Sequence, residues 1–456
     1  MTIRTVNPAT GQAVNEYQPL SEREVDTKIA AAARAFAAWK ASQTLEERAA
    51  PMRAAARILE EEKESYAALM AMEMGKPIKG GRAEVEKCAW VCRHYADHAA
   101  EMLTPVSVST DAQKSYITFT PLGIVLGVMP WNYPFWQVFR YAVPAMMAGN
   151  AVLLKHASIV PGCGQAIEAV MQKAGFPEAL FQNLLIPSDP VGHVIAHPQV
   201  RAVTLTGSAA AGREVAAQAA QSIKPTVLEL GGSDPYLVLE DADLAPTVKA
   251  CVAGRLLNSG QSCIAAKRFI VVDAVREAFE QRCVEEMRSV RMGDPQNEDT
   301  EVGPLAGATF RETLHRQVRK SIENGARCLL GGKIPEGSGF FYPLTVLSDV
   351  RPGMPAFDEE TFGPVAAIVP AADEAQAIQL ANQTAFGLGA AVFTRDTARG
   401  ERIAAEQLEA GSCFVNAFVK SDPRLPFGGI KASGYGRELS QYGLKSFVNV
   451  KTIYVA

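Results

Sequence analysis

The alternation of strand-like and helix-like segments in the middle of the chain constrains its fold more than any other feature of the sequence. Apolar runs typical of strands and periodic segments typical of helices follow one another at residues 151–155, 162–174, 181–185, 202–206, about 210 onward and 226–230. Strands that are joined through helices pair in parallel, with helices on both faces of the sheet. The pattern therefore predicts an α/β fold built on a doubly wound parallel sheet.

Two glycines, Gly231 and Gly232, separate this region from a second stretch of the same kind. Further strands are predicted at 236–239, 269–272, 328–330 and 366–369, with a helix at 248–257 among them. A chain of 456 residues is too long for one small core, so a second α/β domain is expected. We place it at residues 232–424.

The segments outside the alternating pattern predict peripheral elements. Residues 7–11 (NPATG) carry a turn signal that predicts an early hairpin. Residues 25–40 and 45–74 have apolar residues at helical spacing, which predicts helices packed around the later sheet. Strand-like segments at 116–120 and 447–455 have no partner in either domain, and we expect them to pair as an arm that reaches another subunit.

Composition and charge exclude several classes of function. Charged residues make up 21% of the chain and the formal net charge is −4, so neither nucleic acid nor a membrane is expected as a partner. The N-terminus lacks the apolar run of a secretory signal, and the longest apolar stretches, 122–129 and 151–154, are too short to span a bilayer. A cytoplasmic protein is expected.

The eight cysteines are dispersed and include no CxxC pair, so a disulfide framework is not expected. Cys88 and Cys92 lie four residues apart on a predicted helix, near His94 and His98, which could indicate a metal site. No second cluster of ligands follows downstream. Ordinary helix-face residues are therefore the preferred interpretation, and no metal is expected.

Two titratable residues stand in contexts that suit catalysis. Cys263 ends the segment NSGQSC at 258–263 and precedes an apolar strand, which predicts a thiol exposed at a strand edge. A cysteine attacks as the thiolate, and its unperturbed pKa is about 8.5. Glu229 lies inside the apolar strand VLELGG at 227–232, where a carboxylate is costly unless it has a partner or a task. It is interpreted either as a general base or as a strand-end carboxylate that faces solvent.

Three loops offer groups that could bind an oxyanion or a phosphate. In PWNYP at 130–134, the Asn132 amide could donate to a developing oxyanion. The segment LTGSAAAG at 205–212 joins a strand to a helix, and N–H groups at a helix N-terminus bind phosphate, although the GxGxxG fingerprint is absent. Lys155 ends a predicted parallel strand, where it suits a ribose or a phosphate. Each signal is weak alone, because such residues also occur in loops and strand ends that have no function.

The set of motifs is far more specific than any one of them. These segments, read together with EETFGP at 359–364, PFGGIK at 426–431 and SGYGRE at 433–438, resemble the aldehyde dehydrogenase superfamily over essentially the whole chain. The resemblance implies an aldehyde dehydrogenase-like α/β fold, with two doubly wound domains and a small β oligomerisation arm.

The resemblance also implies roles for the domains. Residues 1–231 would form a Rossmann-like NAD(P)-binding domain, with 103–121 as part of the arm. Residues 232–424 would form the catalytic domain that carries Cys263. Residues 425–456 would return to the cofactor domain and supply the C-terminal oligomerisation strand.

The catalytic roles implied by the resemblance fall on three residues. Cys263 would be the nucleophile, Glu229 the base and Asn132 one oxyanion donor, beside the backbone N–H of Cys263. An aldehyde would then become a thioester on Cys263 and be released as a carboxylic acid after Glu229 activates water. Relatives that transfer the acyl group to coenzyme A generally lack this glutamate, so hydrolysis is favoured.

The resemblance implies NAD or NADP as cofactor. Gly207 and Ser208 would lie by the pyrophosphate, Lys155 by the adenosine ribose, Glu360 by the nicotinamide ribose and Phe362 by the nicotinamide. The remaining residues of the expected cofactor site are Pro130, Trp131, Ser158 and Leu230. Ser158 stands where NAD-preferring relatives often have a carboxylate. A 2′-phosphate is therefore not repelled, so NADP is expected to be accepted and the preference stays open.

The substrate expectation rests on the stretch 132–140, which resembles the substrate helix of succinate-semialdehyde dehydrogenases. Arg140 falls where that subfamily has an arginine for the distal carboxylate of the substrate, and arginine suits bidentate carboxylate recognition. Ser421 falls where the subfamily has a serine near the same carboxylate, and Arg424 could assist. A helix-surface cation is the alternative interpretation of Arg140.

Three other functions remain to be weighed against this one. A broad-specificity aliphatic or aromatic aldehyde dehydrogenase would share the mechanism but not the carboxylate site. A cysteine hydrolase would need a histidine partner for Cys263, and none of the six histidines stands in a motif for that role. A non-catalytic protein should have lost Cys263 or Glu229. The family further suggests a homodimer or homotetramer.

Overall fold

The computed structural model describes residues 2–42 and 44–456. Within these ranges the helices are α1 (Glu22–Ser42), α2 (Leu45–Glu61), α3 (Lys63–Met74), α4 (Ile78–Met102), α5 (Trp136–Met147), α6 (Pro161–Lys173), α7 (Val191–Ala196), α8 (Ala209–Gln221), α9 (Leu244–Leu256), α10 (Asp273–Ser289), α11 (Ala308–Glu323), α12 (Pro355–Asp358), α13 (Glu374–Asn382), α14 (Thr397–Glu406) and α15 (Ser440–Lys445). The strands are β1 (Ile3–Val6), β2 (Ala13–Tyr17), β3 (Val106–Ser107), β4 (Lys114–Pro121), β5 (Ile124–Met129), β6 (Ala151–His156), β7 (Phe181–Asn183), β8 (Val200–Thr206), β9 (Thr226–Glu229), β10 (Pro235–Val238), β11 (Arg268–Val272), β12 (Arg327–Leu330), β13 (Thr345–Ser348), β14 (Val365–Ala371), β15 (Gly389–Phe393), β16 (Ser412–Val415), β17 (Gly434–Tyr435) and β18 (Val448–Val455).

The N-terminal region forms a hairpin followed by helices, as predicted. Strands β1 and β2 pair antiparallel, and the Gly11 N–H donates to the Asn7 carbonyl oxygen across the turn (2.8 Å). The predicted helical stretch 45–74 forms two helices. The break falls at Glu62, whose backbone leaves helical geometry (ψ 14°) and separates α2 from α3. Helix α2 begins with a capping box between Thr44 and Glu47, which satisfies two N–H groups of its first turn.

The first sheet has the strand order β17-β9-β8-β5-β6-β7 and is parallel apart from β17. Its central strand β5 is followed in sequence by β6 and β7 on one side. The chain then crosses to β8 and β9 on the other side. This confirms the doubly wound parallel sheet, and the reversal beside β5 creates a switch point where ligands bind at the carboxyl ends of strands.

The second sheet has the order β12-β13-β14-β11-β10-β15-β16, with only β12 antiparallel to its neighbour among these strands. The four strands predicted after Gly232 all belong to it. Strands β13, β15 and β16 were not predicted, because neighbours in the sheet, rather than their own sequence pattern, define these runs of four or five residues as strands. Buried side chains from both sheets join in one hydrophobic cluster, so the domain bounds 1–231, 232–424 and 425–456 stay a prediction.

A third, smaller sheet is formed by β18, β4 and β3. Strand β18 pairs antiparallel with β4 over eight residues, from Val448 opposite Pro121 to Val455 opposite Lys114. The predicted pairing of the two isolated strands is thus confirmed, and residues 103–121 contribute β3 and β4. Val450 and Tyr454 are more than half exposed on this sheet. That the arm reaches another subunit stays a prediction.

The cysteines on α4 belong to the core. Cys88 and Cys92 are fully buried in the main hydrophobic cluster, and residues 2–42 and 44–456 contain no group of three or more metal-ligating side chains. Over the same residues, no helix combines the length and the apolar character that a bilayer crossing requires.

Candidate active site

Cys263 lies inside a tightly wound loop between a short 3-10 turn (Leu257–Gly260) and β11. Three successive residues have left-handed backbone: Asn258 (φ 54°), Ser259 (φ 57°) and Gly260 (φ 77°). A Cβ at Gly260 would overlap the Gly363 carbonyl, so only glycine fits there. The apolar strand begins only at residue 268, which corrects the expectation of a thiol exposed at a strand edge. Cys263 is half-buried in the loop.

Buried cations hold the backbone of this loop from both sides. Arg255 Nη2 donates to the Gly260 carbonyl oxygen (2.7 Å). Lys267 Nζ donates to the carbonyl oxygens of Ser262 (2.8 Å) and Cys263. Both cationic side chains are fully buried. The position of the Cys263 thiol is therefore fixed by charge-assisted hydrogen bonds to its own peptide units.

The Asn132 amide is oriented towards the same loop. Its Nδ2 donates to the Gln261 carbonyl oxygen (3.1 Å), and its Oδ1 accepts from Gln137 Nε2 (3.1 Å). Asn258 Nδ2 donates in turn to the Asn132 carbonyl oxygen (2.7 Å). An amide nitrogen carries two N–H donors, so Asn132 Nδ2 can also donate to an oxygen that develops beside Cys263.

The electrostatic setting keeps the thiol protonated in the free protein. Burial raises the pKa of Cys263 to about 12, while the charges of Arg140 and Lys267 oppose the rise and those of Glu360 and Asp234 add to it. At neutral pH the thiolate is therefore a minor form, and attack requires a proton acceptor or a change in the surroundings when ligands bind.

Glu229 ends strand β9 and is 2% exposed. Among the described residues, neither of its carboxylate oxygens has a hydrogen-bond partner. Burial and the neighbouring Glu438 raise the pKa of Glu229 well above its ordinary value, and Arg140 and Arg437 oppose this. The expectation of a solvent-facing carboxylate is wrong, and a buried carboxyl with a raised pKa is the form that suits a general base. A Cβ at Gly428 would lie 2.6 Å from Glu229 Oε1, so the carboxylate is tightly enclosed.

Arg140 forms a buried ion pair with Glu438. Both side chains are 2% exposed, and the pair joins Arg140 Nε to Glu438 Oε2. Arg140 Nη2 also donates to Thr206 Oγ1 (3.1 Å), and its guanidinium lies 4.7 Å from the Phe427 ring centroid. The alternative of a helix-surface cation is wrong. Glu438 stood in the SGYGRE segment without an assigned role, because its partner is 298 residues away in sequence.

The expected cofactor residues of the first domain lie along one sheet edge. Lys155 is near the carboxyl end of β6, and the loops that follow β5, β8 and β9 carry Trp131, Ser208 and Leu230. These four strands are neighbours in the sheet, so the residues lie along the edge that contains the switch point. Pro130 precedes Trp131, Gly207 precedes Ser208, and Ser158 follows β6.

This edge suits a ligand that carries phosphate and ribose. Lys155 is 6% exposed, its pKa is lowered by burial, and it has no carboxylate partner among the described residues. Ser208 caps α8 through its hydroxyl, which accepts from the Ala211 N–H (3.2 Å). A buried ammonium without a counter-ion beside a helix N-terminus fits an anionic dinucleotide.

Comparison with known proteins agrees with this geometry. The chain matches the Aldehyde dehydrogenase family over residues 1–453. It belongs to the aldehyde dehydrogenase family. The chain is 48% identical, over the full length of both chains, to a probable succinate-semialdehyde dehydrogenase [NADP(+)] of Synechocystis sp.. It is 47% identical to a succinate-semialdehyde dehydrogenase [NADP(+)] of Mycolicibacterium paratuberculosis, over 100% of this chain and 97% of that one.

Solved structures of the aldehyde dehydrogenase family have the same fold. Succinic semialdehyde dehydrogenase from Streptococcus pyogenes, in complex with NADP+, aligns with a TM-score of 0.97 at 35% identity over 99% of each chain. An NADP-dependent enzyme of E. coli aligns with a TM-score of 0.97 at 33% identity, over 100% of this chain and 95% of that one. The expected aldehyde dehydrogenase-like α/β fold is confirmed.

The EETFGP segment of this aldehyde dehydrogenase lies beside the LELGG segment. Glu360 Oε1 accepts from the Gly232 N–H (3.0 Å), and a Cβ at Gly231 would lie 2.5 Å from Glu360 Oε2. The Phe362 ring stands edge-on to Trp131, with centroids 5.7 Å apart. Glu360 and Phe362, from the loop between α12 and β14, thus contact residues that follow strands of the first sheet.

A cavity of about 410 Å³ is lined by Cys263 and by residues of α4 and α5 of the dehydrogenase. Its wall includes Arg140 and Ser421, so the structure brings both expected substrate residues to the cavity that holds the thiol. Arg424 does not line it: this exposed side chain pairs with Asp422 through Nη2 (2.7 Å).

The charged residues that sequence reasoning missed around Cys263 include two that line this cavity and one that supports its nucleophile loop. Glu84 and Lys87 lie on α4 and line its wall, and Lys267 supports the nucleophile loop. Of these, only Glu84 could have been singled out from the sequence. It lies among apolar residues of a helix face, such as Val85 and Cys88, where a glutamate without partners costs free energy. The other two resemble ordinary surface lysines until the fold is known.

Proposed function

We propose that the protein oxidises succinate semialdehyde to succinate, with NADP as the preferred hydride acceptor and NAD as an accepted one. The observation that carries the proposal is one cavity lined both by Cys263 and by Arg140 and Ser421. The thiol suits attack on an aldehyde, and a cationic wall with a hydroxyl group suits the carboxylate of the same molecule. The names of the Synechocystis and Mycolicibacterium relatives support the same substrate and cofactor.

In the first half-reaction, Cys263 Sγ gives its proton to a solvent water and bonds to the aldehyde carbon. The π electrons of the carbonyl move to oxygen, where the Asn132 amide and the Cys263 backbone N–H donate hydrogen bonds. As the oxyanion collapses, the aldehyde carbon would lose a hydride, and a nicotinamide held at the shared edge of the two sheets would supply the acceptor for it. A thioester on Cys263 remains.

In the second half-reaction, Glu229 takes a proton from water as the water oxygen bonds to the thioester carbon. The tetrahedral adduct collapses with cleavage of the carbon–sulfur bond, so that the thiolate leaves and the carboxylic acid is released. The raised pKa of Glu229 increases its basicity, which favours removal of the proton from water.

The proposed cofactor site is the shared edge of the two sheets. Lys155 and Ser158 would take the adenosine ribose and its 2′-phosphate, and Gly207 and Ser208 the pyrophosphate. Glu360 would bind the nicotinamide ribose. Phe362, Pro130, Trp131 and Leu230 would enclose the nicotinamide. The absence of a carboxylate at position 158 and the unpaired Lys155 ammonium support NADP over NAD.

The domain roles are proposed together with this site. Residues 1–231 would bind the cofactor, 232–424 would carry the nucleophile, and 425–456 would return to the first sheet through β17 and end in the arm. We further propose a homodimer or homotetramer that uses this arm, on the ground that Val450 and Tyr454 expose apolar surface there. A cytoplasmic location is supported by the eight cysteines, all of which are free.

The test is aldehyde-dependent reduction of the cofactor. Succinate semialdehyde is mixed with the protein and NADP or NAD, and the absorbance of the reduced cofactor is followed, with Cys263→Ser as control. Fast turnover that the variant lacks, and that is faster with NADP, is expected. Activity only on hexanal or benzaldehyde would favour a broad-specificity enzyme. Ester hydrolysis without any aldehyde oxidation would favour a cysteine hydrolase.

A further inference from the structure

The cavity beside Cys263 is rich in cationic side chains, but they differ in whether their charge is already neutralised. Five of them line its wall: Lys76, Lys79, Lys87, Arg140 and Lys420. Lys79 and Lys420 are exposed to water, which screens their charge. The other three side chains are buried or partly buried, and their charges determine which anion the cavity can bind.

Two of the buried cations already have a carboxylate partner. Lys76 forms a buried ion pair with Glu84, and Arg140 forms one with Glu438. All four side chains are 1–2% exposed. An anion that approached either cation would therefore compete with a desolvated carboxylate that is already in contact.

Lys87 differs because it has no such partner. Among the described residues, no carboxylate oxygen lies within 4.0 Å of its Nζ, and the group donates instead to Ser421 Oγ (2.7 Å). Its Nζ also lies 4.4 Å from the centroid of the Trp136 ring, which is a cation–π contact. A neutral hydroxyl and an aromatic ring orient the ammonium group but leave its charge uncompensated.

Lys87 is partly buried, so its unpaired charge is shielded from much of the surrounding water. Burial is the main cause that lowers the pKa of Lys87, to about 8, and the nearby Arg140 charge adds to the effect. At neutral pH the group is therefore mostly protonated, although the surroundings disfavour its charge. An anion bound beside it would relieve that electrostatic cost.

We propose that Lys87 is a specificity-determining residue of the cavity, whose ammonium group binds the distal carboxylate of the substrate together with the Ser421 hydroxyl. The substrate class is an aldehyde that carries a carboxylate at its other end. Arg140, which is already paired with Glu438, adds to the positive potential of the cavity rather than forming the main ion pair with the substrate. This inference rests on the proposed function and assigns its substrate recognition to a residue on α4.

The first test compares two aldehydes of the same carbon number, succinate semialdehyde and butanal. Lys87→Met keeps the length and apolar character of the side chain and removes the charge. It is expected to raise KM for succinate semialdehyde about tenfold or more, with little change in KM for butanal and in kcat. Lys87→Arg should restore much of the loss. Lys249→Met, at an exposed lysine of α9 outside the cavity, is the charge-matched control and should change neither KM.

A pH series gives a second readout that a merely structural lysine would not produce. The charged groups that face Lys87 are Arg140 from α5, Asp422 from the loop after β16, and Glu84 and Cys88 from α4. The pKa of Asp422 is lowered and that of Cys88 is raised well above its ordinary value, so neither changes charge near pH 8. KM for succinate semialdehyde should therefore rise as pH passes about 8, because Lys87 loses its proton there. The same series with butanal, or with Lys87→Met, should lack this rise.

The outcomes separate this inference from the proposed function. If the unmodified protein oxidises succinate semialdehyde efficiently but Lys87→Met changes KM for both aldehydes equally, the role of Lys87 is refuted and the function stands. If the unmodified protein prefers butanal, the proposed function itself fails. If Lys87→Met does not fold, as seen by circular dichroism, the substrate-dependent pH series on the unmodified protein decides the question.

Discussion

At the scale of single residues, the burial of Cys263 predicts how its reactivity depends on pH. Burial raises the pKa of this thiol to about 12. Since the thiolate is the form that iodoacetamide alkylates, the rate of alkylation in the free protein should rise about tenfold per pH unit between about pH 7 and pH 9. Mass spectrometry of the peptide that contains Cys263 measures this rate. A rate that levels off above about pH 8 would contradict the prediction, since that is the behaviour of an unperturbed thiol.

Glu438 is expected to control the pKa of Glu229. Glu438→Gln removes a neighbouring negative charge and frees Arg140, and both changes favour the ionised form of Glu229. The pKa of Glu229 should fall, so the loss of thioester hydrolysis on acidification should move to lower pH by about one unit or more. Hydrolysis of nitrophenyl acetate without cofactor, measured across a pH series, tests this.

The matched control for this prediction is Glu401→Gln, which changes an exposed glutamate of α14. Its pH profile should coincide with that of the unmodified protein. An unshifted profile in Glu438→Gln as well would mean that Glu438 does not affect Glu229. The direction of the shift follows because a general base is active in its ionised form, above its pKa. Its activity is lost as the pH falls through that pKa.

At the scale of elements, the contact between α4 and α5 supports the loop that carries Asn132. Glu84 Oε1 accepts from the Phe135 and Trp136 N–H groups at the start of α5, each at 2.9 Å. Its other oxygen pairs with Lys76. One carboxylate thus satisfies the first N–H groups of α5 and joins it to α4, with a favourable charge at a helix N-terminus.

Removing this carboxylate should destabilise the whole protein. Glu84→Ala leaves the Lys76 ammonium buried without a counter-ion, which costs about 3–5 kcal/mol, to be measured by denaturant unfolding. The double variant Lys76→Met/Glu84→Leu removes both charges and should recover much of that loss. Its activity should stay low, because the start of α5 still lacks an acceptor. A double variant no more stable than Glu84→Ala would show that the unpaired charge is not the cause.

At the scale of the whole molecule, the arm predicts how copies of the chain associate. Val450 and Tyr454 lie four residues apart on β18 and are 60% and 54% exposed, so they share one face of the small sheet. Val450→Asp/Tyr454→Asp adds charge to this face without removing a backbone hydrogen bond. If the arm forms the subunit contact, light scattering should give a mass near that of a single chain, with unfolding of the chain itself little changed.

Ile223 offers a control for this prediction because it is 93% exposed and lies outside the arm. Ile223→Asp should leave the assembly mass unchanged. Removal of the chain from Phe447 onward should have a larger effect than the paired aspartates, since it also removes the eight-residue pairing of β18 with β4. An unchanged mass in both arm variants would mean that the subunits associate elsewhere.

The succession of helices and strands was largely predictable from local pattern. Segments such as 151–155 and 162–174 combine length, apolar periodicity and flanking turn residues, all of which act within a few residues of sequence. The strands β13 and β15 were not predicted, because their burial comes from neighbours in the sheet rather than from their own sequence pattern. The same limit explains why the break at Glu62 within the helical stretch 45–74 was not predicted.

The sequence alone determined the doubly wound sheet, the arm strands and the motifs around Cys263, Glu229 and Asn132, because each depends on residues that are close along the chain. The tertiary structure decided which charged and polar side chains lie in contact with one another. Arg140 and Glu438 pair across 298 residues, and Lys87 meets Ser421 across 334. Whether a buried cation is neutralised or free to bind a ligand depends on such distant contacts, since a charge taken out of water is stabilised only by the groups that the fold places beside it.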